Sequence, residues 1–246
     1  MGHFVRVIVF VFLAAISQSV LAAPAIKILT EKPQQGSMIL GQLQNNSEKS
    51  QVSYKGKLLP IDQQGYFVFG VGRDAPAKIS LLLKQGKTSE TLDIAITKRQ
   101  WKIERVDGLP PGKVSPRKPA VLKRIATETK QVKKARATVS VLSGFKMPFI
   151  LPAKGRISGV YGSQRVLNGK PKRPHYGLDV ANKVGTPVIA PASGVVTLVH
   201  KDMFYSGGTL IIDHGHGISS TYIHLNSIEV KQGDLLAQGQ LIATIG

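Results

Sequence analysis

The stretch RPHYGLDVANKVGTPVIAPASGVV, residues 173–196, sets His175 four positions ahead of Asp179, with Gly177 between them, and then runs into short apolar words broken by glycine and proline. Both side chains are good zinc ligands. In an extended strand, residues four apart lie roughly 13 Å from each other, too far to share an ion whose ligand bonds are about 2 Å. They converge only if the chain bends between them, which Gly177 permits. On its own the spacing is met most simply by a hydrogen-bonded surface histidine. The word VGTPVIAPASGVV is loosely echoed by VKQGDLLAQGQLIATIG at 230–246, each joining a glycine turn, a short apolar run and another glycine. With GVVTLV, GTLIID, GISSTYIHL and LIATIG as successive strands, residues 144–246 are expected to be a β-rich domain.

Upstream, SMILGQL, GYFVFGVG, KISLLLK and TLDIAI alternate with period two and are separated by turn candidates, QQG at 63–65 and KQGK at 84–87. A small β-sandwich of about 80 residues over 24–107 is the economical expectation. That region holds no histidine and its acids are scattered, so binding or positioning is its expected job. GLPPGKVSPRKP, 108–119, reads as a linker stiffened by proline. A change of period follows. In AVLKRIATETKQVKKARA, residues Val121, Leu122, Ile125, Thr129 and Val132 fall on one side of a helix over 119–137, with Pro119 suited to its first turn. The linker and helix together occupy 108–143.

From Lys113 to Arg136 nine basic residues stand against one acid, Glu128, within a chain of formal net charge +19. Such a field favours polyanions, and the basic helix suits an anionic envelope polymer or a membrane surface as readily as a plain connecting role. Residues 1–23 are expected to be a signal peptide: Arg6, the apolar run VIVFVFLAAI, then small residues at Val20, Ala22 and Ala23. The apolar run is short for a bilayer span. Export argues against nucleic acid as the partner. The absence of cysteine excludes thiolate zinc sites and cysteine nucleophiles, so a metal must sit on His, Asp or Glu.

Four words occur in compact order: GRISGVYGSQR, RPHYGLDVANKVGTPVIAPASGVV, GGTLIIDHGHGISSTYIHL and VKQGDLLAQGQLIATIG. As a set, over about Lys154 to Gly246, they resemble the lysostaphin-like (LytM-type) zinc metalloendopeptidases, which cleave peptide cross-links in bacterial cell walls. The resemblance implies a mainly β fold with an antiparallel peptidase sheet, one Zn2+ and peptidoglycan as partner, in the periplasm or cell envelope. It assigns His175 and Asp179 as the first two zinc ligands and His224, in TYIHL, as a catalytic histidine beside the metal. The family's later His-x-His pair, bearing the third ligand and a second catalytic histidine, is expected after the 230–246 strand. The domain is therefore expected to lack its last motif, its third ligand and a closing strand, with activity in doubt. His214 and His216 form a His-x-His that precedes TYIHL; the resemblance makes them turn residues near the rim, and His200 structural or on the groove edge.

Two other classes are compatible with parts of the sequence. One is a non-catalytic envelope module that binds peptidoglycan or activates another hydrolase. The other is a biotinyl or lipoyl carrier barrel, suggested by APASGVV and GDLLAQGQLIATIG, but residues 192–194 are Ala-Ser-Gly where a carrier needs its lysine.

Overall fold

A computed structural model describes residues 25–44, 46, 49–108 and 119–246. The leader expected at 1–23 and most of the proline-rich linker lie outside the described residues. Strands β1 (Ile26–Ile28), β2 (Met38–Leu43), β3 (Ser50–Tyr54), β4 (Lys57–Leu58), β5 (Tyr66–Gly70), β6 (Lys78–Gln85) and β7 (Thr88–Ala95) make two antiparallel sheets, ordered β1-β2-β5 and β4-β3-β6-β7. Period-two patterning decides which side chains meet. In β6, Ile79, Leu81 and Leu83 are buried while Lys78 and Ser80 are exposed. They join Ile39, Val52, Phe67 and Phe69 in one core shared by both sheets. Gly41 lets the Phe67 ring lie against the neighbouring backbone, since a Cβ there would fall 2.3 Å from it.

Then come β8 (Ile103–Val106) and α1 (Pro119–Arg136), followed by β9 (Arg156–Gly159), β10 (Gln164–Leu167), β11 (Lys170–Pro171) and β12 (Asp179–Ala181). β8 pairs in parallel with β10, while β12 pairs with β9 across a bulge between Asp179 and Val180. Strands β13 (Pro187–Ile189), β14 (Gly194–Met203), β15 (Gly207–Asp213), β16 (Ser219–Ile228), β17 (Leu235–Leu236) and β18 (Leu241–Ile245) form a six-stranded antiparallel sheet, ordered β13-β18-β16-β15-β14-β17. The fold is mainly β.

The sheet is covered on both faces. Leu210 and Ile212 of β15 join Val188, Val196, Leu236 and Ile242 in one cluster; Ile211, between them, joins Leu198, Met203 and Ala135 in another, with Val132 packed alongside. α1 therefore seals the second face, which is why GTLIID reads as an unbroken apolar run rather than an alternating one. Ala135 is the buried residue of α1, with Val121, Ile125 and Val132 half-buried. Leu122, placed on the same side by spacing, is 48% exposed. β18, last in sequence, lies inside the sheet between β13 and β16. The edges are β13 and β17. β18 pairs only with Leu225–Ile228 of β16, so among the described residues Ser219–His224 carry a strand on one side alone.

Candidate metal centre

Asp179 opens β12, and His175 lies in the loop between β11 and β12. Asp179 stands opposite Gly159 at the bulge, and a Cβ on Gly159 would sit 2.1 Å from Asp179 Oδ2. That glycine makes room for the carboxylate. The chain bends at Gly177, and His175 Nε2 comes 3.1 Å from Asp179 Oδ1. A Cβ at Gly177 would be 3.5 Å from the same nitrogen, an ordinary contact, so the glycine leaves that side of the ring open rather than relieving a clash.

A short turn fixes His175. Its backbone N–H donates to the Ser163 carbonyl at 2.8 Å, its own carbonyl accepts from Gly162 N–H at 2.8 Å, and its ring Nδ1 lies 3.2 Å from the Val160 carbonyl. A carbonyl only accepts, so Nδ1 carries a hydrogen, an arrangement that in the neutral ring puts the lone pair at Nε2. That lone pair faces a carboxylate oxygen. Two acceptors at 3.1 Å repel unless a proton or a cation lies between them. Two ligands on one tetrahedral zinc, each about 2.0–2.1 Å from it, are about 3.3 Å apart. The donor set and its bite therefore fit a divalent zinc ion. Among the described residues no third His, Cys, Asp or Glu joins the pair.

His224 is on β16. Its backbone is left-handed, φ 57°, a costly conformation for a residue with a Cβ, and it is held by its N–H to the Ser206 carbonyl (2.8 Å) and by Gly246 N–H to its own carbonyl (2.9 Å). The exposed ring lines a cavity of about 430 Å3 together with Asp179, Leu178, Tyr222 and Ile245. Asp179 also borders a second cavity of about 510 Å3, with His175, Tyr176, Arg165, Lys172 and Arg173 on its wall. The carboxylate thus stands where the two meet, with His175 on one side and His224 on the other.

The His-x-His of the chain is elsewhere. His214–Gly217 do form the connection between β15 and β16, but the expectation that they sit near the rim is corrected. Both histidines are buried, because segment 139–145 crosses over the turn. His216 N–H donates to the Ser140 carbonyl at 2.9 Å, Phe145 N–H to the His214 carbonyl at 3.0 Å, and the Phe145 ring stacks on His216 at 4.5 Å. His214 uses both ring nitrogens. Nδ1–H donates to the Ser193 carbonyl (2.8 Å), and Nε2 accepts from Ser220 Oγ (2.7 Å), which in turn accepts from the Tyr222 hydroxyl (3.0 Å). No lone pair is left for a metal. Burial pushes the His214 pKa below its ordinary 6.5 against the opposing pull of the Ser193 carbonyl and Asp213, so the ring is neutral. Burial lowers His216 as well, and raises the Tyr222 phenol despite its bond to Ser220. His200 accepts from Asp202 N–H at 3.1 Å and borders the cleft under α1, not the cavities around Asp179.

Residues 173–246 match Peptidase family M23. This region is similar to that family. A stretch of 96 residues is 38% identical to the peptidoglycan DD-endopeptidase ShyA of Vibrio cholerae, covering 38% of this chain and 22% of that protein. Against ShyB of the same organism the identity is 41% over 73 residues, covering 30% of this chain and 17% of the relative. The matches thus span about a fifth of those relatives' own length. A crystal structure from Pseudomonas aeruginosa assigned to peptidase M23 superposes over 87% of this chain and 83% of its own, with a TM-score of 0.65 and 25% identity. That coverage extends well beyond the M23 region, so the likeness takes in N-terminal strands too.

What the sequence reading missed is the turn Val160–Ser163. It lies within GRISGVYGSQR but has no chemistry-bearing side chain, and its part in holding His175 is made by main-chain carbonyls and amides.

Proposed function

We propose that this chain is a zinc metalloendopeptidase of the bacterial envelope, hydrolysing peptide cross-links or stems of peptidoglycan. The observation that carries it is His175 Nε2 facing Asp179 Oδ1 at 3.1 Å, the bite of two ligands on one ion, inside the region that matches M23. His175 and Asp179 would hold the zinc. The chemistry zinc supplies when bound is Lewis acidity towards a scissile carbonyl and activation of water at neutral pH. His224, exposed across the shared cavity, would move a proton to or from the reacting groups and stabilise developing oxyanion charge. Arg165, Lys172 and Arg173 give the second cavity, which Asp179 borders on its His175 side, a positive lining suited to the free carboxylates of peptide stems. The N-terminal strands would bind or position. α1, whose exposed face carries Lys123, Lys130, Lys133, Lys134 and Arg136, would lean on an anionic polymer of the envelope.

A second reading is a non-catalytic module that binds peptidoglycan or activates another hydrolase on the same fold. It is favoured by the positive wall of Arg165, Lys172 and Arg173, which would hold an acidic peptide stem with or without cleaving it. Incubation with purified sacculi in the presence of Zn2+ separates the two. New amino termini, abolished in His175→Ala and reduced in His224→Ala, support the peptidase. Sedimentation with sacculi without release of peptides supports the module.

A further inference from the structure

The turn that aligns His175 is itself held from the other half of the chain. Arg73, in the segment after β5, donates from Nε to the Gly162 carbonyl at 2.8 Å, and its side chain is only 9% exposed. The Trp101 ring lies against Gly162 so closely that a Cβ there would be 2.1 Å from its Cε3. Gly162 is at φ +89°, so both the space and the backbone exclude a side chain. Arg73 and Arg99 stack over Trp101 at 5.2 and 4.5 Å, and Tyr161 meets it edge-on at 6.0 Å. The Lys102 carbonyl accepts from Gln164 N–H at 2.9 Å, where β8 begins its parallel pairing with β10.

Residues 160–163 therefore have two sides. One makes three contacts to His175: the Val160 carbonyl to Nδ1, the Ser163 carbonyl to N–H, and Gly162 N–H to the carbonyl. The other is gripped by Arg73, Trp101 and Lys102, which come from the N-terminal strands and the segment that leaves them. We infer that the N-terminal half acts as a clamp which fixes the position and tautomer of His175, with Arg73 and Trp101 as positioning residues for the metal centre. This rests on the reading that His175 and Asp179 hold the zinc.

The physical content is specific. With the Val160 carbonyl in place the ring hydrogen stays on Nδ1 and Nε2 is free to ligate. If the turn relaxes, the hydrogen bond lengthens and neutral imidazole returns to a mixture in which the hydrogen sits mainly on Nε2, blocking the ligand atom. Partners of this kind are typically worth 10–100-fold in metal affinity when they touch the ligand directly; one step further out, a loss of roughly tenfold is expected.

The test uses the full chain and two readings: Zn2+ affinity by competition with a chromophoric chelator, taken as a ratio to the parent, and the ring tautomer of His175 by 15N NMR of the metal-free chain at mildly alkaline pH. Arg73→Ala is expected to lower Zn2+ affinity roughly tenfold and to convert the Nδ1–H signal to a mixed tautomer, with far-UV circular dichroism unchanged. Trp101→Phe, which keeps an aromatic face, is expected to fall between parent and Arg73→Ala. If Arg73→Ala does not fold, Trp101→Phe decides by the same two readings. A folded variant with parental affinity and a pure Nδ1–H tautomer overturns the clamp. His175→Ala is the control: if it leaves Zn2+ affinity unchanged, the metal reading has failed, and the tautomer alone decides the clamp.

Discussion

His214→Ala is the substitution that most sharply separates a structural histidine from a metal ligand. The ring is 0% exposed, its Nδ1–H engages the Ser193 carbonyl at 2.8 Å, and its Nε2 takes the Ser220 hydroxyl at 2.7 Å. Truncation leaves a carbonyl and a hydroxyl without these partners, at about 1–3 kcal/mol each, and opens a cavity beside Phe149, whose ring packs edge-on at 4.9 Å. The two lost partners alone come to about 2–6 kcal/mol, and the cavity adds to that, a large part of a stability that is about 5–15 kcal/mol for an ordinary domain. Urea unfolding followed by far-UV circular dichroism reads it directly. The pH dependence adds a second signature. Burial holds His214 below its ordinary 6.5, so the native state resists protonation there; that contribution is complete above about pH 6.5 and is lost as pH falls from there towards the depressed folded value. His216 acts in the same direction, so His214→Ala should flatten the acid slope in part, not abolish it. A His214→Ala chain with parental stability and a parental acid slope would refute the buried network and return this pair to the list of candidate ligands.

Three further outcomes are expected. Gly159→Ala should drive the Asp179 carboxylate from its place, because the new Cβ would fall 2.1 Å from Oδ2; Zn2+ affinity should drop at least tenfold with the urea midpoint nearly unchanged, checked by chelator competition. Lys146→Met should cost about 1–2 kcal/mol, since Lys146 joins the halves through an ion pair with Asp62 and a hydrogen bond to Gln64 at 2.7 Å. Burial works against ionisation of Asp62, but Lys146 and the Tyr66 and Gln64 amides together bring it below its ordinary 3.8, so its contribution is present above about pH 3.8 and lost as pH falls through the lower folded value; the acid-unfolding midpoint of Lys146→Met should move to higher pH. Glu128→Gln weakens an i,i+4 pair with Arg124 while still able to accept from Phe204 N–H, so thermal unfolding should shift by less than about 1 kcal/mol and Zn2+ affinity should not change.

Local pattern carried the strands with strong periodicity. KISLLLK became β6 with Ile79, Leu81 and Leu83 inward, and GTLIID became a strand buried on both faces. The helix from Pro119 was readable from its change of period, but its apolar side was overestimated: Ala135, not Leu122, is the residue that enters the core. The resemblance pointed to His175 and Asp179, and their spacing required a bend of the kind that occurs at Gly177. What could not be read lies in contacts between distant segments. β8 pairs with β10 some 60 residues later, and nothing in IERV announces a parallel partner. The burial of His214 depends on segment 139–145 crossing the β15–β16 turn, a tertiary event that leaves no periodic trace. The Val160–Ser163 turn works through its backbone, which any sequence of suitable shape would supply, apart from the glycine that Trp101 requires.

The most direct measurement is equilibrium dialysis of the chain against Zn2+, beside His175→Ala, Asp179→Asn and His214→Ala. The account predicts that His175→Ala and Asp179→Asn each lose the zinc bound by the parent, while folded His214→Ala keeps it. Retention of zinc by His175→Ala together with its loss from His214→Ala would contradict the account, because the ion would then sit in the β15–β16 turn and not between His175 and Asp179.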